Sequence, residues 1–153
     1  MRNLEFIVDI ETQGLGLDAD LVRRAVLATL RHQSADFDGE VSVSFVQDDE
    51  MTQYNRQYRG KDGTTDVLSF PQFTVEEIAN HSDEFICLGD IIINVDAVHR
   101  QAEDYGHDIK REAAFLTVHS VLHLLGYTHD DEAQEARMFA VQEEILEEMG
   151  LGR

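Results

Sequence analysis

The 153-residue chain has little cysteine, proline and basic charge, and it has no tryptophan. A single cysteine, Cys87, excludes an internal disulfide, and its position in an apolar run predicts a packing role in the core. No apolar run reaches the roughly eighteen residues of a membrane span, and the acidic N-terminal stretch lacks the apolar core of a signal peptide. These absences predict a cytoplasmic protein that contacts no membrane.

Acidic residues dominate the charge, with 31 Asp and Glu against 12 Lys and Arg and a formal net charge of −19. This balance argues against a general nucleic-acid binder, because affinity for phosphate backbones comes mainly from Lys and Arg. Arg56, Arg59 and Lys61 nevertheless form one compact basic cluster. An anionic substrate is expected to bind at this cluster, and a polyanionic one is expected to need a partner that presents it.

Alternating and helical patterns of apolar residues predict one α+β domain over residues 1–153. The expected fold is a small mixed four-stranded sheet with about five helices, in which a central helix carries a group of histidines. Asp18 or Asp20 is expected to cap the first helix, and Asp48 or Asp49 the second. The predicted strands are 4–11, 41–45, 67–71 and 86–95, and the predicted helices are 18–35, 48–59, 96–105, 113–125 and 131–149.

Two of these segments carry further expectations. The β-branched run at 86–95 is typical of a central strand covered on both faces. Residues 73–84 have no clear period, which predicts a mobile loop with one helical turn and a solvated His81.

The stretch HSVLHLLGYTH, residues 119–129, is the feature most informative about function. His119 and His123 are four residues apart, so a helix places both imidazoles on one face. Gly126 can end that helix in a left-handed turn, which lets His129 approach the same point. Three nitrogen ligands leave a tetrahedral zinc with one open position, as in catalytic sites.

A histidine pair alone is more often a hydrogen-bonded core or surface feature than a metal site. The third histidine and the glycine change this balance, because the spacing repeats the ligand frame of the metzincin proteases. Ser120 stands where those proteases have their catalytic glutamate. The apolar residues around the histidines predict a buried helix, and burial favours the neutral imidazole that binds a metal.

Three motifs in order, NRQYRGKDGTTDVLSFP, LGDIIIN and HSVLHLLGYTH, resemble the bacterial YbeY family of zinc-dependent endoribonucleases that mature ribosomal RNA. The resemblance covers roughly Val41 to Asp130. It implies zinc ligands at His119, His123 and His129 and a functional arginine at Arg59. It also implies single-stranded RNA as substrate, 16S rRNA 3′-end processing and ribosome quality control, with the small ribosomal subunit and assembly factors as partners.

The chain departs from the family pattern at three positions. The family usually has glycine at Ser120, aspartate at Thr128 and proline at Thr64. Ser120 and Thr128 adjoin the histidines, so hydrogen bonds around the metal are expected to differ from those of the family. Thr64 makes the loop after Arg59 less stiff than a proline would.

A three-histidine zinc can acidify its bound water or polarise a phosphoryl oxygen, and Arg59 can hold the charge that develops on the phosphorane-like transition state. Arg56 and Lys61 are either phosphate contacts or solvated loop charges. Asp66 is either an orienting group or a cap of the following strand. The general base stays open between zinc hydroxide, the substrate's 2′-hydroxyl and an acid such as Asp130.

Two other functions fit parts of the pattern. A metalloprotease-like hydrolase fits the histidine spacing, but the glutamate after the first histidine is missing. A non-cleaving ribosome assembly factor with a structural zinc fits the resemblance, but structural zinc usually has four protein ligands and only three are found here.

Overall fold

The computed structural model describes residues 5–80 and 85–152, and at its centre is a mixed sheet of four strands. The order in the sheet is β1-β2-β4-β3, with β1, β2 and β4 parallel and β3 antiparallel at the edge beside β4. The strands are β1 (Phe6–Glu11), β2 (Gly39–Val46), β3 (Val67–Pro71) and β4 (Ile86–Asn94). The mixed four-stranded sheet of the sequence prediction is confirmed.

Six helices are found in the described residues, one more than the five predicted. They are α1 (Ala19–His32), α2 (Asp48–Arg59), α3 (Val75–Ala79), α4 (Val95–Tyr105), α5 (Ile109–Leu124) and α6 (Glu132–Glu148). The additional α3 is the single helical turn expected within 73–84, and a reciprocal capping box between Thr74 and Glu77 stabilises it. Residues 81–84, with His81, lie outside the described residues.

Helix α5 is the central helix, as predicted. It packs against α1, α4 and α6 on its helical side and against β3 and β4 on its sheet side. Because it is surrounded in this way, most of its residues are buried, including Ala114, Val118 and Leu122. Within the described chain, no helix is both long enough and apolar enough to cross a membrane.

The predicted N-cap residue is confirmed for α1 and wrong for α2. Asp18 caps α1 by accepting a hydrogen bond from the Leu21 amide, and α1 ends at His32, short of the predicted residue 35. The prediction that Asp48 or Asp49 caps α2 is wrong, because Gln47 is the N-cap residue and provides no side-chain bond. The Asp48 carboxylate instead binds Asn94, the N-cap residue of α4, and Arg100 in the middle of α4.

The sequence predicts that helices cover both faces of β4, and this prediction is wrong for one face. Ile86, Leu88 and Ile91 are buried beneath the helices, but Cys87 on the opposite face is exposed. Helix α2 covers that second face only at the far end, where Ile92 packs beside Met51. Because Cys87 lies at the uncovered end, the expected packing role of Cys87 in the core is also wrong.

Candidate metal centre

The three histidines meet at the C-terminal end of α5. His119 and His123 lie one helical turn apart on the same face, and α5 ends immediately afterwards. Gly126 adopts a φ of +105°, a left-handed conformation that turns the chain back and brings His129 to the other two. One ring nitrogen from each histidine lies within 4.8 Å of the others. The structure therefore brings together the three residues that the sequence singled out.

The donor atoms fit a small tetrahedral metal ion. The Nε2 atoms of His119 and His123 are 3.0 Å apart, close to the separation of about 3.3 Å that tetrahedral Zn–N bonds impose. The Nδ1 atom of His123 donates a hydrogen bond of 2.9 Å to the Tyr127 carbonyl oxygen. Because Nδ1 carries the hydrogen, the lone pair of Nε2 is left available for the ion.

His119 also has a hydrogen-bond partner, which the sequence did not reveal. The Nε2 atom of Gln142 lies 2.8 Å from Nδ1 of His119, and Gln142 is only 3% exposed on the inner face of α6. An amide serves either imidazole tautomer, because its nitrogen donates to a bare Nδ1 and its oxygen, after a half-turn, accepts from Nδ1–H. Gln142 therefore fixes the plane of the His119 ring.

Burial keeps the inner two imidazoles neutral. It lowers the pKa of His119 to about 4, and the neighbouring charges of His123 and His129 act in the same direction. Burial also lowers the pKa of His123. Neutral imidazoles are the form that coordinates a metal ion, so the centre is electrostatically prepared for one near neutral pH.

The residues that depart from the family pattern point away from the histidine nitrogens. Ser120 is fully buried, and its hydroxyl donates a 2.8 Å bond to the Leu116 carbonyl oxygen one turn earlier in α5. Thr128 is exposed and its hydroxyl pairs with the Gln134 side chain at 2.6 Å. Neither hydroxyl is a hydrogen-bond partner of the three imidazoles in the described residues.

Cavities open on two sides of the histidine group. A cavity of about 650 Å³ between α5 and α6 is lined by His119 and His129. A second, of about 440 Å³, is lined by His123 together with the end of β3 and the start of α3. A ligand can thus reach the three nitrogens from solvent.

Arg59 is the last residue of α2 and is exposed. Its guanidinium makes no hydrogen bond or ion pair with residues 5–80 or 85–152, so the structure does not join it to the histidines by direct contact. Arg56 pairs with Asp62 at 3.5 Å in an exposed ion pair, and Lys61 is exposed after Gly60. The three cations remain a local cluster, as the sequence suggested.

The loop after Arg59 is tied down by the buried Asn94. The Asn94 amide nitrogen lies within 3.0 Å of Asp48, the Thr64 hydroxyl and the Thr65 carbonyl oxygen. Of the two roles considered for Asp66, the strand cap is the one observed, because its carboxylate accepts a 2.8 Å bond from the Val67 amide at the start of β3.

Comparisons with known proteins identify the family. The family described as "Endoribonuclease YbeY" matches residues 10–150. An Endoribonuclease YbeY of Caldanaerobacter subterraneus subsp. tengcongensis is 46% identical over 144 residues, covering 90% of each chain. One from Macrococcus caseolyticus is 46% identical over 132 residues, covering 86% of each chain.

A solved structure has the same fold. The solution structure of TM1509 from Thermotoga maritima superposes with a TM-score of 0.61, at 23% identity, over 94% of this chain and 91% of the other. The fold thus agrees with that of a solved protein, and the family match extends over nearly the whole length. The chain belongs to the Endoribonuclease YbeY family.

Proposed function

We propose that this chain is a zinc-dependent endoribonuclease that cuts single-stranded RNA during ribosomal RNA maturation in the cytoplasm. The observation that carries the proposal is the group of three histidines, whose ring nitrogens lie within 4.8 Å of one another, in a chain of an endoribonuclease family. The 16S rRNA 3′ end is the substrate, the small ribosomal subunit and its assembly factors present it, and the same cleavage serves ribosome quality control. The whole chain, 1–153, acts as one metallohydrolase domain.

His119, His123 and His129 hold the zinc ion through one ring nitrogen each. A zinc ion with three protein ligands has an open position, where it supplies Lewis acidity for phosphodiester cleavage. The chain's own contribution is to orient the ligands: Gln142 fixes the His119 ring, and the Tyr127 carbonyl fixes the His123 ring. Because both rings are held in place, the nitrogens of His119 and His123 would be available to the ion beside the cavities that admit substrate.

Arg59 stabilises the negative charge that develops on the equatorial phosphoryl oxygens. Its guanidinium has no ion pair within the described residues and its side chain is exposed, so both donors of its planar fork are available to an anion. Arg56 and Lys61 contact neighbouring phosphates of the strand. Three cations are too few to grip a duplex, which favours a single-stranded substrate.

Asp130 is the carboxylate we assign to accept the proton of the nucleophile. Asp66 and Asp130 are carboxylates whose charges act on His119 and His123, respectively. Asp66 is already engaged by the Val67 amide and the Gln101 side chain. Asp130 is exposed beside His129 and remains available to a proton from the attacking group.

The experiment that tests this function compares single-stranded RNA and casein as substrates for zinc-loaded protein. We expect RNA cleavage without casein cleavage, and we expect the His123→Ala variant to lose both stoichiometric zinc and cleavage. Casein cleavage would establish the metalloprotease-like alternative. RNA binding without cleavage at saturating zinc would establish the non-cleaving assembly factor.

Arg59 is tested separately from the metal. If its fork stabilises charge that appears only in the transition state, Arg59→Lys should reduce kcat by ~100-fold or more while zinc content and Tm stay unchanged. Arg59→Ala should be at least as slow. Wild-type cleavage rates in Arg59→Ala would remove this residue from the mechanism.

A further inference from the structure

An exposed aromatic residue lies directly before Arg59. Tyr58, in the last turn of α2, is 56% exposed and is thus one of the large hydrophobic side chains that the protein presents to solvent. In α2 the buried residues are Met51, which packs against the sheet, and Asn55, which bonds to the Gly63 carbonyl oxygen, and Tyr58 follows them in the last turn. The Tyr58 side chain is therefore only partly buried, and more than half of it is open to solvent.

Two neighbouring rings hold the Tyr58 ring in place. Tyr54, one turn earlier in α2, stacks on it with ring centres 6.1 Å apart and planes 22° apart. Phe70 of β3 meets it edge to face at 5.2 Å. Tyr54 and Phe70 themselves pack against a buried cluster that contains Met51 and Leu68. The orientation of Tyr58 is thus set before any ligand arrives, which lowers the entropic cost of stacking on it.

Two basic residues, Arg59 and Lys61, follow Tyr58 in the sequence where α2 ends. Gly60, with a φ of +63°, reverses the chain, and its amide bonds to the Arg56 carbonyl oxygen. Lys61 is thereby turned back beside the last turn of α2, next to Arg59. In a chain with a net charge of −19, this is a local surface that combines an exposed ring with two cations, Arg59 and Lys61, that form no ion pair within the described residues. Such a combination matches a nucleic-acid strand, whose bases stack while its phosphates meet cations.

The surface is also connected to the candidate metal centre. Phe70 is followed in the strand by Pro71 and Gln72, and both of those residues line the cavity that His123 also lines. Extended backbone rises about 3.3 Å per residue, so Phe70 lies only about 7 Å along the strand from Gln72. Tyr58 therefore contacts the same segment, residues 70–72, that extends to the cavity beside His123, and an RNA strand bound at both places would follow this segment.

We propose that Tyr58 is a base-stacking residue, which binds one base of a single-stranded RNA whose flanking phosphates contact Arg59 and Lys61. The inference rests on the proposed function and adds a subsite to it. Stacking on an aromatic ring is tolerant of base identity, so this subsite selects unpaired bases over a duplex without selecting a sequence. The role belongs to substrate binding, and Tyr58 takes no part in the chemical step.

The test uses single-stranded RNA containing 2-aminopurine, whose fluorescence is quenched when the base stacks. RNA binding is measured on the full chain after zinc has been removed by a chelator, so that the RNA stays intact. Turnover is measured separately on zinc-loaded protein. We expect Tyr58→Ala to weaken binding by about 5-fold or more and to abolish the quenching, since base stacking contributes roughly 1–3 kcal/mol. Tyr58→Phe should stay within about twofold of wild type, because its ring is retained. In turnover, KM should rise in Tyr58→Ala while kcat is unchanged.

Tyr105→Ala is the matched control, because Tyr105 is 66% exposed and lies at the end of a different helix, α4. Equal binding by Tyr58→Ala and Tyr105→Ala, with wild-type cleavage intact, would overturn the inference and leave the proposed function standing. If Tyr58→Phe and Tyr58→Ala lose RNA affinity equally, the stacking role is overturned and the contact is made by the Tyr58 hydroxyl. Displacement of RNA by poly-glutamate as readily as by unlabelled RNA would indicate an acidic protein partner instead. Wild-type protein that neither binds nor cuts RNA would refute both proposals.

Discussion

At the scale of single residues, the candidate metal centre depends on groups behind the histidines as much as on the histidines themselves. An imidazole can rotate about its Cβ–Cγ bond, and its other nitrogen decides which tautomer is present. In this protein the Tyr127 carbonyl oxygen fixes the tautomer of His123, and the Gln142 side chain, which can pair with either tautomer, fixes the ring plane of His119. Removing such a partner should lower the affinity for the metal ion although all three histidines are retained.

The Gln142→Leu variant tests this expectation. Leucine has a similar volume and fits the buried position, but it offers no hydrogen bond to Nδ1 of His119. We expect zinc affinity to fall by about 10- to 100-fold, as measured by competition with a chelating dye, with little loss of thermal stability. Gln142→Glu keeps an acceptor for Nδ1–H and should retain most of the affinity. Unchanged affinity in the leucine variant would show that His119 needs no such partner.

The sequence predicts the three histidines of the site but does not predict the contribution of Gln142. Spacing within one helix and a following glycine is a local signal, and the structure brings His119, His123 and His129 together as that signal predicts. Gln142 lies 23 residues beyond His119 and reaches it only because α6 packs against α5. A glutamine on an otherwise acidic helix has no pattern of its own, so this contact could not be found without the packing.

At the scale of elements, the turn after α5 decides whether His129 reaches the other histidines. A Cβ at Gly126 would collide with the Val75 side chain of α3, and its φ of +105° is strained for any residue with a side chain. We expect Gly126→Ala to destabilise the protein by ~1–3 kcal/mol in urea denaturation and to weaken zinc binding.

Gly106 offers a control for backbone strain alone. Its φ is +68°, but a Cβ there meets no atom within 4 Å. Gly106→Ala should therefore cost about 1 kcal/mol and leave zinc binding intact. Adding Val75→Ala to Gly126→Ala should restore part of the lost stability. Equal zinc binding by the two alanine variants at Gly126 and Gly106 would contradict the proposed role of the turn.

An ion pair between Asp48 and Arg100 joins α2 to α4, and it predicts how the stability of the protein depends on pH. Arg100 binds both carboxylate oxygens of Asp48, at 2.7 and 3.0 Å, and this bond together with that from Asn94 lowers the pKa of Asp48 to about 2. The unfolded chain takes up this proton nearer the ordinary value of 3.8. The stabilisation is therefore complete above about pH 4 and is lost as the pH falls through about 2.

Asp48→Asn should show this dependence. At pH 7 we expect the variant to be less stable than wild type by about 1 kcal/mol, a modest value because the bond is partly exposed and screened by solvent. The difference should shrink at pH 3, because Asp48 of the unfolded wild-type chain, with a pKa near 3.8, is mostly protonated there while the folded protein keeps the carboxylate ionised. Urea denaturation of both proteins at the two pH values measures it. A difference that stays constant with pH would show that the charge of Asp48 contributes nothing.

The elements themselves were largely predictable, and the errors have a common cause. Periodicity identified the strands, the long helices and the central position of α5, because each burial pattern is local. Asp48 was assigned to the wrong role because an acid before a helix usually caps it, whereas here α4 supplies stronger partners. Cys87 was assigned to the core because an apolar run does not reveal which end of a strand a helix leaves uncovered.

At the scale of the whole molecule, the distribution of charge sets how RNA can be bound. The net charge of −19 repels a polyanion at long range, and in the proposed function the attraction comes from Arg56, Arg59 and Lys61. A partner that presents the RNA is consistent with this distribution, since long-range attraction to the free strand is absent.

The same distribution predicts a shallow dependence of RNA affinity on salt. Each phosphate contact on a single strand contributes about −0.7 to the slope of log K against log salt concentration, so three cations give a slope near −2. Lys61→Gln should reduce that slope by about 0.7, because it removes one contact. Lys110→Gln, an exposed lysine at the start of α5, should leave it unchanged. A wild-type slope of about −4 or steeper would require roughly six contacts, and the binding surface would then include basic residues that lie outside the cluster around Arg59.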